Sequence, residues 1–166
     1  MEERTNIDGQ AIIMNTRAKF IMKRNSGAAF GLSVITGGHV SVPGMWLRDV
    51  TDAIKDEMDP DHQEDRDIVV EEDVWLGANV TLLKGAHIGR GSVVGAGSVV
   101  RNEIPPYAVV TGNPAKIVGF KYSPSIIVEH EEKLFPEEER LSEELLEENY
   151  KKYFISRIRE IQDYLK

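Results

Sequence analysis

Three observations predict a mainly β, coiled architecture for this chain. Aliphatic residues recur every six positions over 70–104, glycine follows several of them, and helical spacing is confined to the C-terminal region. Read in sixes from Val70, the chain runs VEEDVW, LGANVT, LLKGAH, IGRGSV, VGAGSV and then VRNEI. Val70, Leu76, Leu82, Ile88, Val94 and Val100 hold the first places. The fifth places, Val74, Val80, Ala86, Ser92, Ser98 and Ile104, are small or aliphatic. An α-helix asks for apolar intervals of three and four, and a flat strand asks for alternation, so neither explains a period of six. Short strands joined by tight corners do explain it, with each aliphatic pointing into the shared core of a parallel β-helix. Gly77, Gly89 and Gly95 are expected to permit a close or unusual backbone at the bends.

The first third follows the same phase more loosely. Met22, Ala28 and Val34 fall on inward first places, and Met14, Phe20, Ser26 and Leu32 on fifth places. From Gly37 to about Asp67 the repeat gives way to a polar, acidic stretch rich in breakers, then resumes. A structureless stretch of that length inside a compact fold marks a functional loop. Beyond residue 122 the pattern turns helical. Ser123-Pro124 reads as an N-cap followed by a first-turn proline, and Pro136 closes that helix. A second helix over about 142–165 carries Leu146, Tyr150, Phe154, Ile158, Ile161 and Leu165 as one apolar stripe that must dock. The predicted organisation is therefore a β-helix over 1–122 with a loop at about 37–67, and a helical extension over 123–166.

Composition narrows the function. A net charge of −8 argues against a nucleic-acid-binding protein, although Lys84, Arg90, Arg101, Lys116 and Lys121 leave room for a local anion site in the middle third. The absence of cysteine excludes disulfides, thiolate metal sites and a cysteine nucleophile. The polar opening MEERTNIDGQ lacks the apolar run of a secretion signal, and no stretch has the length and apolarity of a membrane span, so a cytoplasmic location without membrane insertion is expected.

Four segments taken together resemble the acetyl-coenzyme A-dependent O-acetyltransferases of the galactoside, serine and xenobiotic group: TGGH, VVEEDVWLGANVTLLKGAHIGRGSVVGAGSVV, IPPYAVVTGNPAKIV and SPSIIVEHEEKLFPEEERLS. The last looks closest to members that acetylate bacterial surface polysaccharides or their precursors. The resemblance runs in order over roughly 14–145. It implies a left-handed β-helix with eighteen-residue coils, a homotrimer with active sites between subunits, and acetyl-CoA as cosubstrate with no metal. His39, after Thr-Gly-Gly, matches the family's base. Trp75, Gly77, Ala78 and Ala96 match positions along the pantetheine arm. Arg101-Asn102 replaces the Thr/Ser-Lys pair common near the nucleotide end in relatives, so Arg101, Asn102 and Lys116 are candidate donor contacts without a one-to-one mapping.

Two expectations rest on the residues themselves. Ala78 and Ala96 are eighteen positions apart and stack if the coil has that length, leaving a wall on which an extended arm can lie. Neutral histidine suits removal of a hydroxyl proton near neutral pH, so His39 is the candidate general base. Trp46 could stack on a sugar or staple the loop, and Asn79 could contact acceptor or bond along its own stack. His62, His87 and His130 read as ordinary, with His87 facing outward. They lack the clustering that a zinc-dependent β-helix carbonic anhydrase requires. The leading expectation is acetyl transfer to a hydroxyl of a sugar or surface-polysaccharide precursor. The alternatives are another acceptor (a sugar amine, serine or an antibiotic) and a non-catalytic β-helix assembly module.

Overall fold

The computed structural model describes residues 1–15 and 17–166. Its first coil consists of β1 (Asn6–Ile7), β2 (Ile12–Met14) and β3 (Phe20–Met22). The second is β4 (Gly27–Ala28) and β5 (Ser33–Ile35), then an excursion containing α1 (Asp52–Met58), then β6 (Ile68–Val70). The third is β7 (Trp75–Leu76), β8 (Thr81–Leu83) and β9 (His87–Ile88), and the fourth is β10 (Val93–Val94), β11 (Val99–Val100) and β12 (Glu103–Ile104). A fifth coil begins with β13 (Ala108–Thr111), and β14 (Lys116–Phe120) turns back antiparallel to it. The first strands of the coils stack as one sheet, the second as another and the third as another, all in parallel.

Register gives the coil length. Trp75 pairs with Val93, Thr81 with Val99 and Val69 with His87, each a step of eighteen. Ser33 pairs with Thr81, 48 positions on, so the excursion adds 30 residues to one coil without disturbing the stack. The first step is 21 (Asn6 to Gly27) and the last is 16 (Val93 to Val109).

The interior is the predicted ladder. Met22, Ala28, Val34, Val70, Leu76, Leu82, Ile88 and Val94 are fully buried, and each larger one contributes about 1.5–3 kcal/mol by leaving water. The buried serines at fifth places bond to the main chain of corners. Ser26 Oγ donates to Glu71 O (2.6 Å) and accepts from Val74 N (3.0 Å), Ser92 Oγ donates to Pro105 O (3.0 Å), and Ser98 Oγ accepts from Gly112 N (3.1 Å).

The corner residues divide two roles between them. The left-handed backbone falls on the fourth place of each hexapeptide, at Asp73, Asn79, Gly85, Gly91 and Gly97, with φ between 55° and 76°. Gly77, Gly89 and Gly95 serve close approach instead: a Cβ on Gly77 would stand 2.7 Å from Ala96 N, and one on Gly89 2.6 Å from Pro106 N. Two sidedness readings in the first coil also change. Met14 is exposed, because the 21-residue step sets it beside the outward Ile35 and leaves half-buried Ala11 against the core, while Phe20 is only partly buried.

The helical extension holds α2 (Pro124–Leu134), α3 (Glu143–Tyr153) and α4 (Ile158–Tyr164). Ser123 stands at the N-cap of α2, but its hydroxyl lies 3.1 Å from Ser125 Oγ and does not cap the helix. The single long helix expected over 142–165 is broken at Phe154 (φ −120°, ψ −65°), followed by a 3-10 turn over Ile155–Arg157. The break rotates the apolar stripe: Leu146 and Ile161 are buried, whereas Ile158 and Leu165 are exposed. Tyr107, Ile127 and Leu146 form a second core against the prism. Glu131, inside a glutamate-rich stretch, is buried there. It accepts from Tyr107 Oη (2.6 Å), Arg90 Nη1 (2.9 Å) and Leu141 N (3.1 Å). Burial first, and Glu131 second, push the Tyr107 hydroxyl far above the ordinary phenol range.

Candidate active site

The excursion leaves at the corner between the second and third sheets, and its two ends are tied together. Buried Thr36 donates from its N–H and hydroxyl to Met14 O (3.1 and 3.3 Å), and its carbonyl accepts from Arg66 N (3.1 Å). Gly37 bridges antiparallel to Asp65. Gly38 has no room for a Cβ, because Glu64 and Lys84, themselves an ion pair, occupy that space. Lys55 reaches back from α1, donating to Gly38 O at 2.9 Å and pairing with Asp65 at 2.5 Å. The Asp65 side chain is 1% exposed, so this pair is enclosed and less screened than a surface bridge.

His39 follows directly. It is exposed and rims a cleft of about 360 Å³ with Met14, Arg17, Ile35, Asp52 and Lys55. Arg17 is held by Asp52 (3.3 Å) and Asp56. The excursion is thus folded and not structureless: Thr51 Oγ1 caps α1 by accepting from Ile54 N (3.4 Å), and a 3-10 turn covers Leu47–Asp49. The Asp59 carboxylate accepts from Glu64 N (2.7 Å) and Gln63 N (2.8 Å), which hold it below the ordinary carboxylate range.

A second group of expected residues gathers on the first sheet and at its corner with the second. Trp75 is half exposed and lies against Gly27, where an added Cβ would stand 3.1 Å from the indole ring. Gly77, Ala78 and Ala96 follow in register, and Gly97 N donates to Ala78 O at 2.8 Å, so the two alanines stack one coil apart. Lys116 opens β14, exposed, its Nζ 4.9 Å from the Tyr164 ring centroid.

The remaining candidates do not join either group. Arg101 and Asn102 are exposed at the corner between the second and third sheets, the corner of the excursion and not that of Ala78 and Ala96. Asn79 takes a left-handed corner (φ 56°), its N–H bonded to Phe30 O at 2.9 Å and its side chain packed over Gly31. Trp46 is exposed, precedes the 3-10 turn and does not line the cleft beside His39. His87 faces outward, with Nε2 2.8 Å from Glu71 Oε1. His130 is edge-on to Tyr107 and tilted against Tyr122. Among the described residues no group of three or more His, Cys, Asp or Glu is placed to hold a metal ion, and no helix is long and apolar enough to cross a membrane.

His39 therefore emerges at one corner of the prism and the Ala78–Ala96 wall at another. Sequence reasoning missed Lys55, Asp65 and Tyr164. The available signal was a lysine isolated among acids in the loop and an aromatic near the end of a helical stripe, and both patterns are ordinary on solvated surfaces.

The bacterial transferase hexapeptide (six repeats) family matches residues 67–102. A 2,3,4,5-tetrahydropyridine-2,6-dicarboxylate N-acetyltransferase from Brevibacillus brevis (strain 47 / JCM 6285 / NBRC 100599) is 49% identical over 51 residues, 31% of this chain and 22% of that protein. The chain thus spans about a fifth of the length of that curated relative. Among solved structures, a variant of AntD, an N-acyltransferase from Bacillus cereus bound to dTDP and coenzyme A, superposes with a TM-score of 0.59 at 14% identity, over 78% of this chain and 67% of that one. The polySia-specific acetyltransferase NeuO superposes with a TM-score of 0.55 at 23% identity, over 70% and 45% of the two chains. At these identities the structural likeness speaks for the fold. The ladder of six-residue units and the stacked parallel coils are thus matched, over residues 67–102, by the bacterial transferase hexapeptide (six repeats) family.

Proposed function

We propose that the protein is an acetyl-CoA-dependent acetyltransferase that acetylates a hydroxyl of a sugar or surface-polysaccharide precursor by direct transfer, with His39 as general base. The observation that carries the reading is the separation of two half-sites on one chain. An exposed imidazole stands beside a cleft at a braced loop root, and a wall of small residues runs along a different corner. Such halves are complementary between copies, which supports a homotrimer of left-handed β-helices in which His39 of one copy faces the Ala78–Ala96 wall of the next. Residues 1–122 form the transferase unit, 123–166 the extension, and the cytoplasm is the site of action.

The donor's pantetheine arm lies along Trp75, Gly77, Ala78 and Ala96, where small side chains expose main chain to it. Imidazole takes the proton of the acceptor hydroxyl as its oxygen attacks the thioester carbonyl. Main-chain N–H groups of the wall stabilise the oxyanion. The C–S bond then breaks, and the departing thiolate receives the proton from imidazolium. Each turnover yields one ester and one coenzyme A thiol.

An amine acceptor is the second reading, favoured by the N-acetyltransferase and N-acyltransferase names of similar proteins. The test follows thiol release from acetyl-CoA over sugars, amines and antibiotics. His39→Ala is expected to lower turnover about 10²–10⁴-fold while donor binding persists. Full turnover of that variant at every pH overturns the base assignment. Turnover of amines alone selects the second reading, and an absence of both thiol release and donor binding leaves a non-catalytic module.

A further inference from the structure

The column of small residues at the corner between the first and second sheets does not end at Ala78. Ala28 of β4 pairs with Leu76 of β7, so Phe30 holds in the second coil the place that Ala78 holds in the third. The main chain repeats this relation. Asn79 N donates to Phe30 O at 2.9 Å, as Gly97 N does to Ala78 O at 2.8 Å one coil on. A single coil step, about 5 Å at the usual strand spacing, thus changes the column from methyl groups to a phenyl ring. That ring is 57% exposed and borders a cleft of about 290 Å³. Gly9 in the coil below leaves room for it, since a Cβ there would stand 3.2 Å from Phe30 Cβ. The polar side chains of the cleft are Gln10, Ser33 and Asn79, and among the described residues no charged side chain lines it.

Height links this cleft to His39. Phe30 lies between β4 and β5, and the excursion leaves directly after β5, so the ring and the root of the imidazole belong to one coil at two corners. In a cyclic assembly whose axis runs along the stack, like coils stand level. The His39 corner of one copy then meets the Phe30 corner of the next, and the ring stands beside the base, just below the Ala78–Ala96 wall. That is where the group to be acetylated must lie. The charges around His39 are engaged among themselves, Arg17 with Asp52 at 3.3 Å and with Asp56, and Lys55 with Asp65 at 2.5 Å. An aromatic face suits the C–H face of a pyranose, and amides with a hydroxyl both donate to and accept from its hydroxyls. An acceptor carboxylate or ammonium finds no counter-ion in such a cleft and loses its hydration there.

We propose that Phe30 is the platform for the acceptor, and that the acceptor is a neutral pyranose stacked on this ring and bonded by Gln10, Ser33 and Asn79. The inference rests on the acetyltransferase reading given above and deepens it, by naming the acceptor class and the residue of the neighbouring copy that selects it.

The test measures KM for a neutral methyl pyranoside, for its uronate counterpart and for acetyl-CoA in the wild type, Phe30→Ala, Phe30→Leu and Phe30→Trp. Loss of ring stacking beyond simple burial corresponds to roughly 2- to 12-fold in affinity, so Phe30→Ala is expected to raise KM for the neutral sugar about tenfold. Phe30→Leu, which keeps bulk without a ring, raises it too, and Phe30→Trp restores it. KM for acetyl-CoA stays at the wild-type value throughout, and the wild type prefers the neutral sugar. A preference for the uronate overturns the acceptor class. Equal rises for donor and acceptor, no rise at all, or a fall in the oligomeric state of Phe30→Ala on sedimentation overturn the platform and leave the transferase reading standing. Co-assembly of Phe30→Ala with His39→Ala copies gives a second readout. Mixed assemblies regain sites with the wild-type KM, whereas a KM fixed at the Phe30→Ala value overturns the placement across copies. If no acceptor releases thiol, saturation-transfer NMR of the methyl pyranoside decides. Binding that is lost in Phe30→Ala upholds the platform and overturns the transferase reading, and an absence of binding overturns both.

Discussion

Coils three and four and the excursion between β5 and β6 are adjacent in space but stand by different physics. In the coils every inward place is aliphatic or small, the strands pair in steady steps of eighteen, and the interior residues are fully buried. In the excursion no residue of α1 is buried. It is held at its root by a main-chain bridge, by the Lys55–Asp65 pair and by the two N–H bonds to Asp59. A repeated apolar ladder gives a stiff scaffold whose parts are interchangeable. A few charged contacts give a limb whose geometry depends on individual residues and on solution conditions. The candidate base sits where the limb meets the scaffold.

This contrast is testable by damaging each side in turn. The largest effect belongs to the scaffold: Leu82→Ala empties a fully buried place, and a loss of about 2–5 kcal/mol in global stability is expected by denaturant unfolding. A deficit confined to hydrogen exchange in 81–83 would mean that the coils open independently. Next comes Lys55→Met, which removes the Lys55 ammonium from the enclosed Asp65 carboxylate and from Gly38 O. A cost of about 1–3 kcal/mol is expected, read as faster hydrogen exchange in 37–66 with coil protection unchanged. Uniform loss of protection would erase the distinction between limb and scaffold.

The smallest effect is a pH effect on the limb. The N–H groups of Glu64 and then Gln63 favour the charged form of Asp59 and lower its value in the folded protein. A depressed value means that the stabilisation is present at neutral pH and is lost as pH falls below the ordinary carboxylate range through the folded value. Asp59→Asn should therefore speed exchange in 59–64 at pH 7 and differ little from the wild type in strong acid. A gap that widens with acid would contradict the sign.

How much of this was legible in the sequence follows the same division. The inward ladder from Val70 to Val100 and the buried serines were readable, because burial on a repeating backbone imposes a period that one sequence displays, whereas the eighteen-residue coil was implied by the family resemblance and is given by strand register. The sidedness of Met14 was not, since a three-residue lengthening of one coil moves the inward face. Nor was the break at Phe154, where docking on the prism overrides a continuous helical stripe. Glu131 was hidden among surface glutamates because its partners Arg90 and Tyr107 lie 41 and 24 positions away.

The candidate site divides likewise. The sequence pointed to His39 and the alanine pair through its resemblance to a family, supported by the place where the repeat breaks and by the eighteen-residue spacing of the alanines. Only the tertiary structure decided that they occupy different corners, that Lys55 and Asp65 brace the loop root, and that Tyr164 packs over Gly112. The physical reason is range. Periodic burial is a local rule repeated along the chain, whereas an ion pair or a ring contact between distant segments exists only once the fold has brought them together.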